Sequence, residues 1–467
     1  MNLAAIKQES NWELTSIVNP HDIEQLVESP PPSSAALEDI LRKARNLRGL
    51  TLEEAASLLN LRDEHLLTQV YAAAGEVKEK VYGRRIVLFA PLYISNRCSN
   101  NCLYCGFRRD NRQLKRRALT PEEIGREAKA LAEKGFKRVL LVSGEGREGT
   151  DVDYLVEAIK EVYRYSPLRI VHINVAPQTV ANFRRLKEAG AGVYQCFQET
   201  YHPHTYKAMH PSGVKADYGW RLTCMHRAMQ AGFGDVGIGP LLGLYDYRFE
   251  VLATLSHAAA LEREFGAGPH TVSVPRLRPA RGAVLTGVPY PLSDVDFRKV
   301  VAVYRLALPY VGIVLSTRER PELRDELINI GVSQMSAGSC VSPGGYARAG
   351  EPAAQFEVDD HRTLEDILQV ILDGGRLPSF CTACYRAGRT GARFTGLARQ
   401  GRIQDFCLPN ALLSFKEYLL ERAPLHLRER GERVIRAGLA VIKEESWRRA
   451  TEEKLEQLEQ GYRDLYF

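Results

Sequence analysis

No stretch of the chain approaches the ~20 consecutive apolar residues that a membrane-spanning helix needs. The first residues, MNLAAIKQESNWEL, lack the charged and apolar regions of a signal peptide. There is no basic tail either, because the net charge of +6 is spread through helical stretches. The densest basic run, Arg108 to Arg117, reads as facing solvent or an anionic cofactor, which argues against nucleic acid as a partner. Low-complexity tracts are absent, and no internal repeat is evident beyond strand–helix alternation. Nor do the nine cysteines form the scattered, even set of a disulfide-stapled secreted scaffold; six of them fall in two tight groups. Grouped cysteines in a large chain read as metal or cluster ligands in a reducing cytoplasm. The remaining three, Cys196, Cys224 and Cys340, stand alone in apolar or helical settings and read as buried small hydrophobes.

What is present suffices for large cores. The chain has 467 residues, 45% apolar and 26% charged, an ordinary balance for a globular protein. Residues 1–80 read as an N-terminal helical extension: Pro30-Pro31-Pro32 breaks it, and SSAALEDILRKARN and TLEEAASLLN carry caps and helical spacing. Eight short apolar runs follow: RIVLFAPLYIS, KRVLLVSGE, RIVHINVA, AGVYQCFQET, DVGIGPLLG, HTVSVPRLRP, GIVLST and VSQMSAGS. Amphipathic stretches such as PEEIGREAKALAEKG and VDYLVEAIKEVYRY separate them. Alternation at this interval predicts a parallel sheet buried on both faces, and eight units predict an α/β fold closed into a (β/α)8 TIM barrel over 81–342. An open six-unit barrel is the nearest rival. Beyond about 343 the alternation stops: PGGYARAGEP reads as a loop and HRTLEDILQVILDGG as a helix. Charged helices run from about 409 to the end, so 343–467 reads as a separate C-terminal helical domain carrying the second cysteine group.

The first group is Cys98-Ser-Asn-Asn-Cys102-Leu-Tyr-Cys105, directly after the first strand and therefore at the C-terminal mouth of the barrel, where such folds place their chemistry. One short loop can wrap three thiolates around a single iron–sulfur cluster. Three ligands leave one iron of a 4Fe–4S cluster open to bind a reactant. The alternative is a zinc site whose fourth ligand is not apparent.

C-x3-C-x2-C with an aromatic before the last cysteine, here Tyr104, resembles the radical S-adenosylmethionine (SAM) superfamily. The resemblance implies SAM chelated at the open iron. Ser143-Gly144-Glu145 is similar to the superfamily's glycine-rich motif for the SAM amino group; glycine permits close backbone approach and a carboxylate accepts from an ammonium. Glu199 resembles the acidic residue that contacts the SAM ribose. Arg221, eleven residues before Gly232, resembles the arginine that pairs with the SAM carboxylate. Ordinary surface or ion-pair roles are the alternative for all three.

The second group, Cys381-Thr-Ala-Cys384 followed by Cys407, allows a zinc site completed by His361 or His426, or a second three-cysteine cluster with its own open iron. SFCTACYRAGRTGARF through DFCLPNALLSFKEYL, with FAPLYISNRCSNNCLYCGFRR, CFQETYHPHTY and PHTVSVPRLRPA, resembles the HydG family of iron–iron hydrogenase maturases over nearly the whole chain. That resemblance implies a tyrosine lyase with two 4Fe–4S clusters. L-tyrosine is cleaved to p-cresol and dehydroglycine, and carbon monoxide and cyanide are captured on iron at the second cluster. It further implies that His270 binds an additional iron bridged by a cysteine-type thiolate. Expected partners are SAM, L-tyrosine, cysteine and iron, a hydrogenase maturation scaffold protein, and an electron donor such as ferredoxin or flavodoxin. Among Arg276, Arg278 and Arg318, all near strand ends, Arg318 is favoured to clamp the tyrosine carboxylate. Two rival functions remain at this stage: the tyrosine lyase of thiazole synthesis (2-iminoacetate synthase), and a non-enzymatic iron–sulfur scaffold.

Overall fold

The computed structural model describes residues 12–146, 149–347 and 354–467. Most of the N-terminal stretch read for a signal peptide, residues 1–11, and part of the PGGYARAGEP loop lie outside these. All eight apolar runs form strands: β1 (Arg85–Ser95), β2 (Arg138–Ser143), β3 (Ile170–Asn174), β4 (Ala191–Gln195), β5 (Asp235–Ile238), β6 (Thr271–Ser273), β7 (Gly312–Leu315) and β8 (Gln334–Ser336). Neighbours pair in parallel and in sequence, and β1 pairs with both β2 and β8, so the sheet closes into an eight-stranded barrel. The open six-strand alternative is excluded. Strands such as β2 and β5 are buried along their whole length, as a sheet covered on both faces requires.

A ninth strand, β9 (Leu377–Ser379), joins this sheet. It pairs in parallel with Arg85–Val87, the first residues of β1, while Val87–Phe89 pair with β8 and Ala90–Ser95 with β2. At eleven residues, β1 is the longest strand among the described residues, spanning about 33 Å at ~3.3 Å per residue. Cys98 follows its upper end. Cys381, just past β9, lies at its lower end. The two cysteine groups therefore sit at opposite ends of one strand.

Helices outside the ring are started by the caps that the sequence supplies. Thr51 and Glu54, Thr120 and Glu123, and Thr363 and Asp366 each form reciprocal capping boxes. N-terminal helices up to Glu64–Tyr82 pack against the barrel helices Tyr247–Phe265 and Asp294–Ala307. The long helix Gln404–Glu421, which carries Cys407, packs on β9 and on the two last helices, Leu425–Ala440 and Glu445–Glu459. No helix among the described residues is long and apolar enough to cross a membrane.

Candidate active site and second cysteine site

At the C-terminal ends of the strands a cavity of about 170 Å³ opens, lined among others by Tyr93, Tyr104, Cys105, Glu145, Lys215 and Arg318. The cysteine loop is fastened to the glycine motif beside it. Ser99 donates through its N–H (2.7 Å) and its hydroxyl (2.9 Å) to the Glu145 carbonyl. Gly144 has no room for a side chain: a Cβ there would stand 2.1 Å from the Arg97 carbonyl oxygen. Burial raises the pKa of all three thiols, that of Cys105 to about 11. Only a strongly electrophilic ligand such as iron would hold them as thiolates at neutral pH.

Beside the loop is a closed charge network. Arg221 Nη1 donates to Glu145 Oε1 at 2.9 Å, and its Nη2 lies 3.6 Å from Glu199 Oε1. Lys215 Nζ donates to the same Glu199 oxygen at 2.5 Å, while Asn100 Nδ2 donates to Glu145 Oε2 at 2.8 Å. Burial pushes both carboxylates up, but Arg221 and Lys215 outweigh it and hold both pKa values below the ordinary range. Glu199 adopts φ +70°, a left-handed conformation costly for a residue with a side chain, and the turn is braced from behind. The buried Glu250 accepts from Tyr201 N–H at 2.9 Å and from the Thr200 hydroxyl. Glu145, Glu199 and Arg221 are thus brought together, with Arg221 engaged by the two carboxylates. Sequence reasoning missed Lys215 and Asn100. Asn100 lay in view between the cysteines, but Lys215 stands in a single short 3-10 turn, Val214–Ala216, with no signal of its own.

The three candidate arginines separate cleanly. Arg276 is committed to Glu319 and Asp294, and Arg278 to the Arg318 carbonyl and Asp359. Arg318 stacks its guanidinium 3.4 Å over the Phe356 ring and makes no ion pair among the described residues. Burial lowers its pKa, partly offset by Tyr93 and Glu199.

The second cysteine group lines a void of about 50 Å³ with His270, Arg85, Arg138 and Tyr385. His361 and His426 are both exposed and do not line it, so neither completes a zinc site with these cysteines; the histidine at hand is His270. Its Nε2 is 3.3 Å from the Tyr385 hydroxyl and its Nδ1 3.6 Å from Asp235. Cys384 is drawn down to about 6, first by a hydrogen bond from the Cys407 thiol and then, against burial, by Arg389 and Arg85. Arg85 Nε, Arg138 Nε, His172 Nδ1 and His270 Nδ1 are buried without hydrogen-bond partners among the described residues. Unsatisfied buried polar atoms of this density mark a place built for something bound. Three thiols, one imidazole and two cations suit an anionic iron–sulfur cluster with an imidazole-bound iron. Among the described residues no three His, Cys, Asp or Glu side chains converge tightly enough for a single ion, whereas a polynuclear cluster spreads its ligands. Sequence reasoning missed Arg85, Arg138 and His172, which differ in no visible way from other strand residues.

Between the two ends the barrel interior holds a further small void. At about 10 Å³, it shares Phe89, Leu140, Gln195 and Val314 with the upper cavity. With the lower void it shares Arg138, His270, Gln334 and Tyr385. Of the three solitary cysteines, Cys196 and Cys224 are buried, but Cys340 is only half-buried, its thiol lying 3.4 Å from the Ser342 hydroxyl, which corrects the expectation of a buried hydrophobe. Cys196 is also no inert filler: a hydrogen bond from Cys224 and the charge of Arg221 draw its thiol down to about 7 against burial.

A closed (β/α)8 barrel with a three-cysteine loop at its mouth and a glycine–glutamate motif beside it defines a radical SAM enzyme. The sequence profile of the Radical SAM superfamily matches residues 92–258, and that of the Biotin and Thiamin Synthesis associated domain matches 273–376. The crystal structure of HydG, a maturase of the FeFe-hydrogenase, is 49% identical, with a TM-score of 0.94 over 97% of this chain and all of that one. HydG from Carboxydothermus hydrogenoformans is 43% identical, with a TM-score of 0.83 over 96% of this chain and all of that one. The 2-iminoacetate synthase of Escherichia coli strain K12 is 34% identical over 345 residues, 72% of this chain and 89% of that protein. The chain belongs to the HydG family of radical SAM enzymes.

Proposed function

We propose that the protein is a radical SAM tyrosine lyase of hydrogenase maturation, cleaving L-tyrosine to p-cresol and dehydroglycine. Carbon monoxide and cyanide then leave on iron for assembly of the iron–iron hydrogenase active site. When bound, the first cluster and SAM supply a 5′-deoxyadenosyl radical, the difficult chemistry that the protein itself does not perform. Cys98, Cys102 and Cys105 hold that cluster. Gly144 lets the backbone approach SAM, Glu145 accepts from its ammonium, Arg221 exchanges Glu145 for the SAM carboxylate, and Glu199 receives the ribose. Arg318 clamps the tyrosine carboxylate, because it is the arginine of the three left without an anionic partner. Cys381, Cys384 and Cys407 hold the second 4Fe–4S cluster, and His270 the additional iron with its cysteine-type thiolate. The protein works in the cytoplasm with an electron donor and a scaffold that receives the iron.

One observation supports this reading: two three-cysteine sites toward opposite ends of a single barrel, with voids between them that share lining residues. Closed walls there keep water from the reacting centre and give diatomic products a path downward. The likeness to 2-iminoacetate synthase favours tyrosine cleavage under both readings, but it leaves more than a quarter of this chain unmatched, whereas the HydG likeness spans the tail. Incubating the reduced, cluster-loaded protein with SAM and L-tyrosine should yield 5′-deoxyadenosine and p-cresol. Deoxyadenosine without p-cresol would refute the lyase assignment. Iron for one cluster per chain instead of two would move the protein to the thiazole-pathway reading.

A further inference from the structure

Two of the segments that hydrogen-bond to the first cysteine loop, residues 109–115 and 280–285, form an exposed wall beside it, while Met209, Ser212 and Gln355 bond to it from other sides. Arg109 N–H donates to the Asn100 carbonyl at 2.7 Å, and Asn101 Nδ2 donates to Asp110 Oδ2 at 2.6 Å. From the other side, Val284 and Leu285 both donate to the Leu103 carbonyl, at 2.8 and 2.9 Å. The two segments are tied together where Asn111 Nδ2 donates to the Arg281 carbonyl at 3.0 Å.

What this wall presents to solvent is unusual in two respects. Arg112, Lys115 and Arg281 are exposed, and their side chains make no ion pair and no hydrogen bond among the described residues. The basic run was not all destined for solvent: Arg116 turns inward and donates to the Asn96 and Phe107 carbonyls at 2.8 Å each. Asp110 is the one carboxylate between 107 and 117, and it is already engaged by Arg109 and Asn101; residues 280–292 contain none. Three residues after Arg281, on the same segment, stands Val284, 52% exposed. Uncommitted positive charge beside an exposed apolar side chain suits the docking of a partner of opposite charge.

We infer that this wall is where a small acidic one-electron carrier protein docks to reduce the first cluster. The inference rests on the assignment of Cys98, Cys102 and Cys105 to a redox cluster. Each SAM cleavage consumes one electron: the carrier loses it, the cluster gains it, and no proton or atom crosses the interface. Electron transfer weakens steeply with distance, and both segments of this wall bond directly to Asn100, Asn101 and Leu103, which lie between the cluster cysteines. The free cations steer an acidic carrier to that spot, and Val284 gives it an apolar contact.

The test uses the full-length protein with both clusters and a reduced acidic flavodoxin as the probe, beside dithionite, which needs no docking. In the double variant Arg112→Glu/Arg281→Glu, flavodoxin-driven 5′-deoxyadenosine formation should fall about tenfold or more, with the dithionite-driven rate unchanged. Raising salt should slow the flavodoxin-driven wild type and leave the variant nearly flat. Calorimetric binding of oxidised flavodoxin at low salt, a readout independent of turnover, should weaken in parallel. Equal flavodoxin-driven rates and equal binding in variant and wild type would overturn the inference. If charge reversal also lowers the dithionite rate, Arg112→Gln/Arg281→Gln decides: the ratio of the two rates must fall, and an unchanged ratio overturns the proposal. A variant that keeps flavodoxin-driven turnover but loses iron transfer to a scaffold would give the surface to another partner and overturn it equally. A wild type that forms no deoxyadenosine even with dithionite would instead refute the cluster assignment beneath it.

Discussion

Replacing Gly144 by alanine should disable the first site and leave the second intact. The added Cβ would meet the Arg97 carbonyl oxygen at 2.1 Å, its carbon at 2.9 Å and the Cys98 Cβ at 3.3 Å. The first two obstacles are backbone and cannot swing aside. Restoring even the shortest tolerated separation, about 3 Å, requires the Arg97–Cys98 backbone or the Gly144–Glu145 backbone to move by about 1 Å. The two segments are also locked by the Gly144 N–H to Ser95 carbonyl bond at 2.8 Å and by the two Ser99 bonds to Glu145. The strain thus passes directly to Cys98 and to the carboxylate proposed for SAM. Overpacking of this kind costs about 1–3 kcal/mol, which a chain of this size survives. A misplacement near 1 Å at reacting groups lowers rates by about a hundredfold. Dithionite-driven 5′-deoxyadenosine formation by Gly144→Ala should fall by that order, while circular dichroism and the iron bound by the tail cysteines stay near wild type. Gly287→Ala serves as the control, since nothing lies within 4 Å of a Cβ there. A wild-type rate in Gly144→Ala, or equal loss of iron from both sites, would refute the reasoning.

Arg318→Ala should raise the KM for tyrosine about tenfold or more, the loss of a charge-assisted contact worth about 1.5–3 kcal/mol, with tyrosine-independent SAM cleavage largely retained; an unchanged KM would remove the residue from the substrate site. Burial pushes Glu250 up to about 8, against the hydrogen bonds from Thr200 and Tyr201. Because its folded pKa is raised, its contribution to stability is full below pH ~4.5 and is lost as pH rises through about 8. Glu250→Gln keeps one donor and one acceptor for the same partners, so its melting temperature should stay level from about pH 6 to 9 while that of the wild type declines. Parallel declines would show that another group sets the slope.

The barrel was legible because each strand is a short run of Val, Ile and Leu between amphipathic helices, a texture that few other folds produce. β9 was not, since Leu377-Pro378-Ser379 is three residues long, contains a proline, and becomes a strand only because β1 extends below the barrel to receive it. The cysteine spacings exposed both sites at once, because thiolates sharing one cluster must lie close in sequence or on adjoining elements. Groups that act by burial were hidden. Arg85 and Arg138 carry no mark in the sequence, and only the folded lower end of the barrel sets them, without an ion pair among the described residues, beside Cys381, Cys384 and Cys407. The commitments of Arg276 to Glu319 and of Arg278 to Asp359, which leave Arg318 free, join positions more than forty residues apart and have no local signature.

The central claim is a division of labour between the mouth of the barrel and its base, and Cys381→Ala tests it most directly. Removing one lower thiolate leaves Cys98, Cys102, Cys105 and the Glu145–Arg221–Glu199–Lys215 network untouched at the other end of the barrel. The account predicts that this variant still converts tyrosine to p-cresol, while infrared spectra of the same sample lack the iron–carbonyl and iron–cyanide stretches seen with the wild type. Normal iron–carbonyl bands in Cys381→Ala, or p-cresol abolished together with them, would contradict it.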